Sequence, residues 1–300
     1  MNRRDCLKTL GVAAGSSLVG RNLAAKDLDA VVDGSEPMGV LVDTTRCIGC
    51  RMCEWACASA NDLPEPEGEV DLDKERDTTP TQWSVVRRYQ TERGPVTVKR
   101  QCMHCLQPAC ASACLTMAMN RKSSGAIAWD GEKCMGCRFC MISCPFDVPK
   151  FEYDSANPRI GKCIMCWERL EEGKDPACVE NCPAQALQFG KRSDLIREAR
   201  TRIYGSPDKY VDHIYGEHEA GGTSFLYIAS VPFEQLGFPP DIGTEPYPNA
   251  TREFLYAVPV VLTLLPPLLL GMHRAANGDK ETEEETTESE VRRWKLPARR

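Results

Sequence analysis

The sequence predicts an α+β fold of two duplicated, cysteine-rich modules, followed by one C-terminal helix able to cross a membrane. Three observations predict it. Sixteen of the 17 cysteines fall between Cys47 and Cys182 and resolve into four related motifs, so the body is a duplicated pair of two-motif units. Short β-like runs precede several of those motifs. Residues 254–272 hold no charge and are mostly apolar, close to the roughly 20 residues a spanning helix needs.

Taken in order, residues 1–25 read as an export signal. Arg3-Arg4 precede a mild apolar run from Leu10 to Val19, and small residues follow at Ala24-Ala25. The arginine pair resembles the twin-arginine signal, whose route carries folded cargo. Cys6 lies in this segment and has no expected role. The cysteine-rich body spans 38–190. Strands are expected at Met38–Val42 and Ala126–Trp129, and a hairpin at Trp83–Tyr89 and Pro95–Lys99, turning at Arg93-Gly94-Pro95. Residues 61–80 are acidic and Pro-bearing and read as an inserted loop. Residues 191–250 lack Cys and form an extension with one helix, Ser193–Tyr204, capped by Ser193. The spanning helix is expected at 254–273. The tail at 274–300, acidic and low in complexity from Asp279 to Glu290, is expected to be disordered.

Motif one is Cys47-x2-Cys50-x2-Cys53-x3-Cys57. Motif three is Cys134-x2-Cys137-x2-Cys140-x3-Cys144, followed by Pro145. Both have the spacing of bacterial 4Fe–4S sites. Three thiolates within seven residues wrap three irons of one cubane. The fourth begins the following helix, points away and reaches a different cluster. Gly49 and Gly136 fit the tight turn, where backbone approaches sulfide with no Cβ in the way. Motif two, Cys102-x2-Cys105-x4-Cys110-x3-Cys114, and motif four, Cys163-x2-Cys166-x11-Cys178-x3-Cys182, insert a loop before the third Cys but keep the final C-x3-C. Four such motifs predict four 4Fe–4S clusters.

Other chemistries fit less well. Structural zinc favours two C-x2-C pairs or Cys/His mixtures, without a repeated C-x3-C. His104, inside motif two, is expected to neighbour a cluster rather than ligate it. Trp167 either shields a cluster or packs in the core. There is no Gly-rich phosphate loop, no HExxH and no nucleophile–base pair, so no catalytic residue is expected. The net charge of −6 leaves no basic excess for nucleic acid. Arg and Lys residues near the cysteines either offset cluster charge or form a solvated face.

These motifs, with Gln101-Cys102-Met103-His104-Cys105, Gly161-Lys162-Cys163-Ile164-Met165-Cys166, Glu180-Asn181-Cys182-Pro183 and Gly221-Gly222-Thr223, resemble the four-cluster iron–sulfur (beta) subunits of membrane-bound respiratory oxidoreductases. The likeness is greatest to the electron-transfer subunit of periplasmic nickel–iron hydrogenase and to the formate dehydrogenase beta subunit. It extends to beta subunits of other molybdopterin oxidoreductases. It covers about residues 38–272 and implies two ferredoxin-like modules. It implies that one cluster takes Cys47, Cys50, Cys53 and Cys182, and the next Cys57, Cys163, Cys166 and Cys178. The second pair takes Cys102, Cys105, Cys110 and Cys144, then Cys114, Cys134, Cys137 and Cys140. It further implies a one-electron relay from a catalytic nickel–iron or molybdenum/tungsten subunit to a membrane cytochrome b or quinone-site subunit. The body would then lie on the periplasmic side of the inner membrane, held by a single-pass anchor.

Overall fold

The structure, a computed structural model, describes residues 36–294. The expected export signal at 1–25, with Cys6, and residues 295–300 lie outside the described residues. Two compact units are present, one ending at Tyr247 and one beginning at Pro248.

Strand β1 (Met38–Asp43) is the centre of the first unit. It pairs antiparallel with β8 (Leu187–Lys191) and parallel with β9 (Phe225–Ile228), so the sheet order is β8-β1-β9. The near-continuous apolar run Val40-Leu41-Val42 suits a strand covered on both faces. Val40 and Val42 face the main core with Phe225 and Tyr227. Leu41 faces the other way, onto Leu226, Ile228 and the Leu195, Ala199 and Ile203 stripe of a helix. That helix, α6, spans Arg192–Gly205. Its buried residues recur at intervals of four, one face of a helix.

The N-cap of α6 is Lys191, not Ser193. Ser193 lies inside the first turn, where its N–H donates to the Glu36 carboxylate at 3.1 Å, so a carboxylate from outside the helix does the capping. The hairpin forms as β2 (Val85–Thr91) and β3 (Gly94–Arg100). Thr91 pairs with Gly94, so the turn is Glu92-Arg93 and lies slightly earlier than expected. The Thr91 hydroxyl donates to the Gly94 carbonyl at 2.6 Å and closes it. The other strand pairs are short: β4 (Met119–Arg121) with β5 (Ile127–Trp129), and β6 (Lys150–Phe151) with β7 (Ile160–Gly161).

Residues 191–247, within the expected extension, belong to the same compact unit as the cysteine motifs. They supply it with β9, α6 and the aromatic cluster Tyr215, Phe233 and Phe238. The second unit, from Pro248, is made by the helix α7, which spans Tyr247–Trp294. It runs through the 279–290 segment expected to be disordered. Glu and Lys are good helix formers. Pro259, Pro266 and Pro267 all lie inside the helix.

Candidate metal centres

The four motifs build one local device four times. In motif one Gly49 (φ 73°) and Arg51 (φ 62°) turn the chain into helix α1, Met52–Ala60. In motif three Gly136 (φ 72°) and Arg138 (φ 61°) lead into α3, Phe139–Ile142, the counterpart of α2, Ala109–Ser112, in motif two. Motifs two and four place His104 (φ 49°) and Met165 (φ 54°) where the other two have glycine. A side chain there costs roughly 1–2 kcal/mol. Both side chains are fully buried, so packing offsets the strain. These turns aim backbone N–H groups at sulfur. His104 N reaches Cys102 Sγ at 3.5 Å and Met165 N reaches Cys163 Sγ at 3.4 Å. Beyond the motif ends, Met119 N reaches Cys114 Sγ at 3.4 Å and Ala186 N reaches Cys182 Sγ at 3.3 Å.

The fourth cysteine does not begin a helix. Cys57 lies within α1, but Cys114, Cys144 and Cys182 each come after the one-turn helix that holds the third cysteine, α2, α3 or α5 (Ala177–Glu180). For Cys144 and Cys182 a following proline disfavours the helical region and stops the turn.

All sixteen thiols are free of disulfides. They gather in four groups. Cys47, Cys50, Cys53 and Cys182 line one cavity. Cys57, Cys163, Cys166 and Cys178 line a second. Around Cys105 stand Cys102, Cys144 and Cys110. Cys114, Cys134, Cys137 and Cys140 line a cavity in the other module. Each group takes one thiol from a motif distant in the chain, and the motifs combine one with four and two with three. The fold thus brings near one another the thiols that the resemblance implied as ligand sets. Successive groups adjoin: Lys99 lines both the first and the second cavity, Lys162 stands between Cys163 and Cys102, and Cys110 packs with Cys140 in one buried cluster. The groups therefore form a row. At its two ends Cys50 and Cys137 are exposed.

The thiols fit a cationic multi-iron core. Burial pushes Cys163 and Cys110 up to about 12, and Cys140 and Cys144 up to about 11. Such thiols do not ionise together unless positive charge sits among them. A single zinc would hold its four sulfurs roughly 4 Å apart, given Zn–S distances of about 2.3 Å. Among the described residues no three His, Cys, Asp or Glu side chains converge closely enough for one ion. Four thiols too far apart for one ion to bridge, with N–H groups aimed at sulfur, suit a cubane better.

Sequence reasoning missed three buried charges beside these cavities. Lys99 is 2 % exposed and lines both the Cys47 and the Cys57 cavities. Burial opposes its charge, but the thiols of Cys178, Cys53 and Cys163 raise it above the ordinary lysine range. Lys162 is 1 % exposed and donates to the carbonyls of Ile127 and Cys163. Glu54, between Cys53 and Cys57, is held by Arg51 and Arg76. The sequence offered no signal for Lys99, which alternates with Val96 and Val98 as a surface lysine would; the burial of β3 on both faces puts it inside. His104 is buried, and its Nδ1 accepts the Ile127 N–H at 2.9 Å. Trp167 opens α4 (Trp167–Glu171) half-buried, with the Lys122 ammonium 4.0 Å over its ring.

Known proteins match the same cysteine-rich region. Two family models, each described as a 4Fe-4S dicluster domain, match residues 46–118 and 96–192. A protein of Nitratidesulfovibrio vulgaris is 47% identical over 285 residues, covering 91% of this chain and 76% of that one. The hydrogenase-2 operon protein HybA of Escherichia coli O157:H7 is 33% identical over 321 residues, covering 93% of this chain and 97% of HybA. The chain belongs to the family of 4Fe–4S iron–sulfur subunits of hydrogenase and formate dehydrogenase type. The iron–sulfur subunit of nitrate-inducible formate dehydrogenase from Escherichia coli K12 is 31% identical over 223 residues, covering 70% of this chain and 75% of that subunit. As a member of this family the chain is a 4Fe–4S electron-transfer subunit.

Proposed function

We propose that this subunit relays single electrons through four 4Fe–4S clusters from a catalytic partner toward a quinone-linked membrane partner. The observation behind it is the row of four thiol groups. The ligand sets would be Cys47, Cys50, Cys53 and Cys182; Cys57, Cys163, Cys166 and Cys178; Cys102, Cys105, Cys110 and Cys144; and Cys114, Cys134, Cys137 and Cys140. The clusters supply one-electron redox chemistry with no bond made or broken in a substrate. The protein supplies the spacing, the N–H groups on sulfur and the burial that excludes water. The two ends of the row are ringed by exposed apolar side chains, Ile48 and Met52 at one, Met135 and Phe139 at the other. Such rims suit transient or permanent contact with electron donors and acceptors.

The catalytic partner would hold nickel–iron or molybdenum/tungsten. The near-complete coverage of HybA favours the hydrogenase type. The membrane partner would be a cytochrome b or other quinone-site subunit. Anchoring is supported by α7, whose stretch from Tyr247 to Ala276 has a mean hydropathy of 2.0 in its most apolar window. Leu262, Leu264, Leu268 and Leu270 on it are exposed, as lipid-facing side chains would be. Pro266 and Pro267 leave the Leu262 and Thr263 carbonyls without their helical donors, and lipid offers none. The Thr263 hydroxyl does not relieve them, since it donates to the Pro259 and Val260 carbonyls at 2.8 and 3.1 Å. A neighbouring membrane subunit would complete the bonding. With twin-arginine export the body lies in the periplasm and Arg274 on the cytoplasmic side.

The test is co-purification of the full chain from gently solubilised membranes. A nickel- or molybdenum/tungsten-bearing subunit together with a haem-bearing or quinone-binding one is expected. Recovery of the chain alone in the cytoplasmic fraction would overturn the proposal.

A further inference from the structure

We infer that Lys99 and Lys162 are potential-setting residues, each placing one buried positive charge at a junction between adjacent cluster sites. The inference rests on the ligand sets proposed above and assigns the protein's own charges to particular sites along the row.

Lys99 lines the Cys47 cavity and the Cys57 cavity alike. Its ammonium is fixed by Gln101 Oε1 at 2.7 Å. Gln101 Nε2 in turn donates to the Tyr227 hydroxyl at 2.6 Å, and that hydroxyl donates to the Lys99 carbonyl at 3.0 Å. The closed loop of bonds holds the charge in one place. Lys162 marks the next junction. It precedes Cys163 in the chain, donates to the Cys163 carbonyl at 2.9 Å, and lies 3.9 Å from Cys102 Sγ. It also acts on Cys110 and Cys144. Lys162 thus stands where the Cys57 site meets the Cys102 site.

Among the described residues neither lysine forms an ion pair with a carboxylate. A buried ammonium without a counter-charge is strongly unfavourable, so the matching negative charge must be local. The buried Glu54 carboxylate is taken up by Arg51 and Arg76, so among the described residues the thiolates and the clusters they would hold supply it. A fixed positive charge favours the reduced, more negative state of each neighbouring cluster and raises its potential. The cavity of Cys114, Cys134, Cys137 and Cys140 has no lysine in its lining and should be indifferent.

The structural alternative is that both lysines merely fill space. Substitution separates the two readings. Lys99→Met keeps the length and removes the charge, and Lys99→Arg keeps the charge. Lys162→Met is the parallel change at the second junction. Redox titrations of the full, cluster-loaded chain, followed by electron paramagnetic resonance, give the midpoints. Lys99→Met should lower the reduction equilibrium constants of two clusters by about tenfold or more, which is 59 mV or more for one electron. Lys162→Met should lower those of the Cys57 and Cys102 sites. Both should leave the Cys114 site unmoved, and Lys99→Arg should restore native midpoints. Unmoved midpoints with full iron in the Met variants would overturn the inference, as would an equal shift of all four clusters. If Lys99→Met fails to retain iron, Lys99→Arg decides: native midpoints support the inference, and loss of iron there too overturns it. Fewer than four clusters in the unsubstituted chain would instead overturn the ligand sets.

Discussion

Glu54→Gln tests how the inserted loop secures the first pair of sites. The Glu54 carboxylate is fully buried on α1, between Cys53 and Cys57. Its Oε1 accepts from Arg76 Nη1 at 2.8 Å and from the Val86 N–H at 2.6 Å. Its Oε2 accepts from Arg51 Nε at 2.9 Å, Arg76 Nη2 at 3.0 Å and Gln82 Nε2 at 3.1 Å. Only donors surround it. Glutamine would have to turn its amide nitrogen toward some of them, and the smallest loss is the pair on Oε1. One lost bond to a charged group is worth about 1.5–3 kcal/mol and one backbone bond about 1. The sum of about 3 kcal/mol agrees with the roughly 3–5 kcal/mol cost of breaking a buried ion pair. Cluster proteins rarely unfold reversibly, so the observable is the rate of cluster bleaching in denaturant. If these bonds are lost before the rate-limiting step, bleaching should speed up by about 100-fold. The signals of the Cys47 and Cys57 sites should disappear before the other two. An acceleration below about threefold, or simultaneous loss of all four signals at the native rate, would refute this reasoning.

Further predictions concern other parts of the chain. Cys144→Ala should perturb the cluster of Cys102, Cys105 and Cys110 and spare that of Cys134, Cys137 and Cys140; loss of only the latter signal would contradict the crossing. Truncation after Asn249, just past the first compact unit, should yield a soluble, cluster-loaded protein that no longer reduces quinone. Retention of that protein in carbonate-washed membranes without a partner would be the opposite result. His213 donates to Glu219 at 2.7 Å, and this bond raises its pKa above the ordinary 6.5. A raised histidine adds stability that is complete below the unfolded value and fades as pH rises through the folded one. The melting-temperature gap between native protein and His213→Gln should therefore be larger at pH 6 than at pH 8.5, and a gap independent of pH would refute it.

The cysteine spacing made the sites legible because it is a local property: three thiols on seven residues must share a turn. Position of the fourth thiol is less local. Spacing told that Cys57, Cys114, Cys144 and Cys182 point elsewhere, but not that Cys57 lies inside a helix while the other three follow a single helical turn. The strand Met38–Asp43 was legible from its apolar run, whereas its parallel partner Phe225–Ile228 was not. That pairing joins residues far apart in sequence, and no local signal in 191–250 announced it. The capping of α6 was misread because Glu36, more than 150 residues away in sequence, takes the part assigned to Ser193. Buried charges were illegible for the same reason. Lys99 alternates with apolar residues as a surface lysine would, and only the packing of both faces of β3 puts it inside. The family models match two sequential segments, while the thiol groups combine the motifs in nested order.

Counting the inorganic content tests the central claim most directly. The full chain, purified without oxygen, should be assayed for iron, acid-labile sulfide and zinc together. Four cubanes on sixteen thiols predict about sixteen iron and sixteen sulfide per chain, with zinc negligible. About eight of each, or near-stoichiometric zinc with little sulfide, would contradict the account.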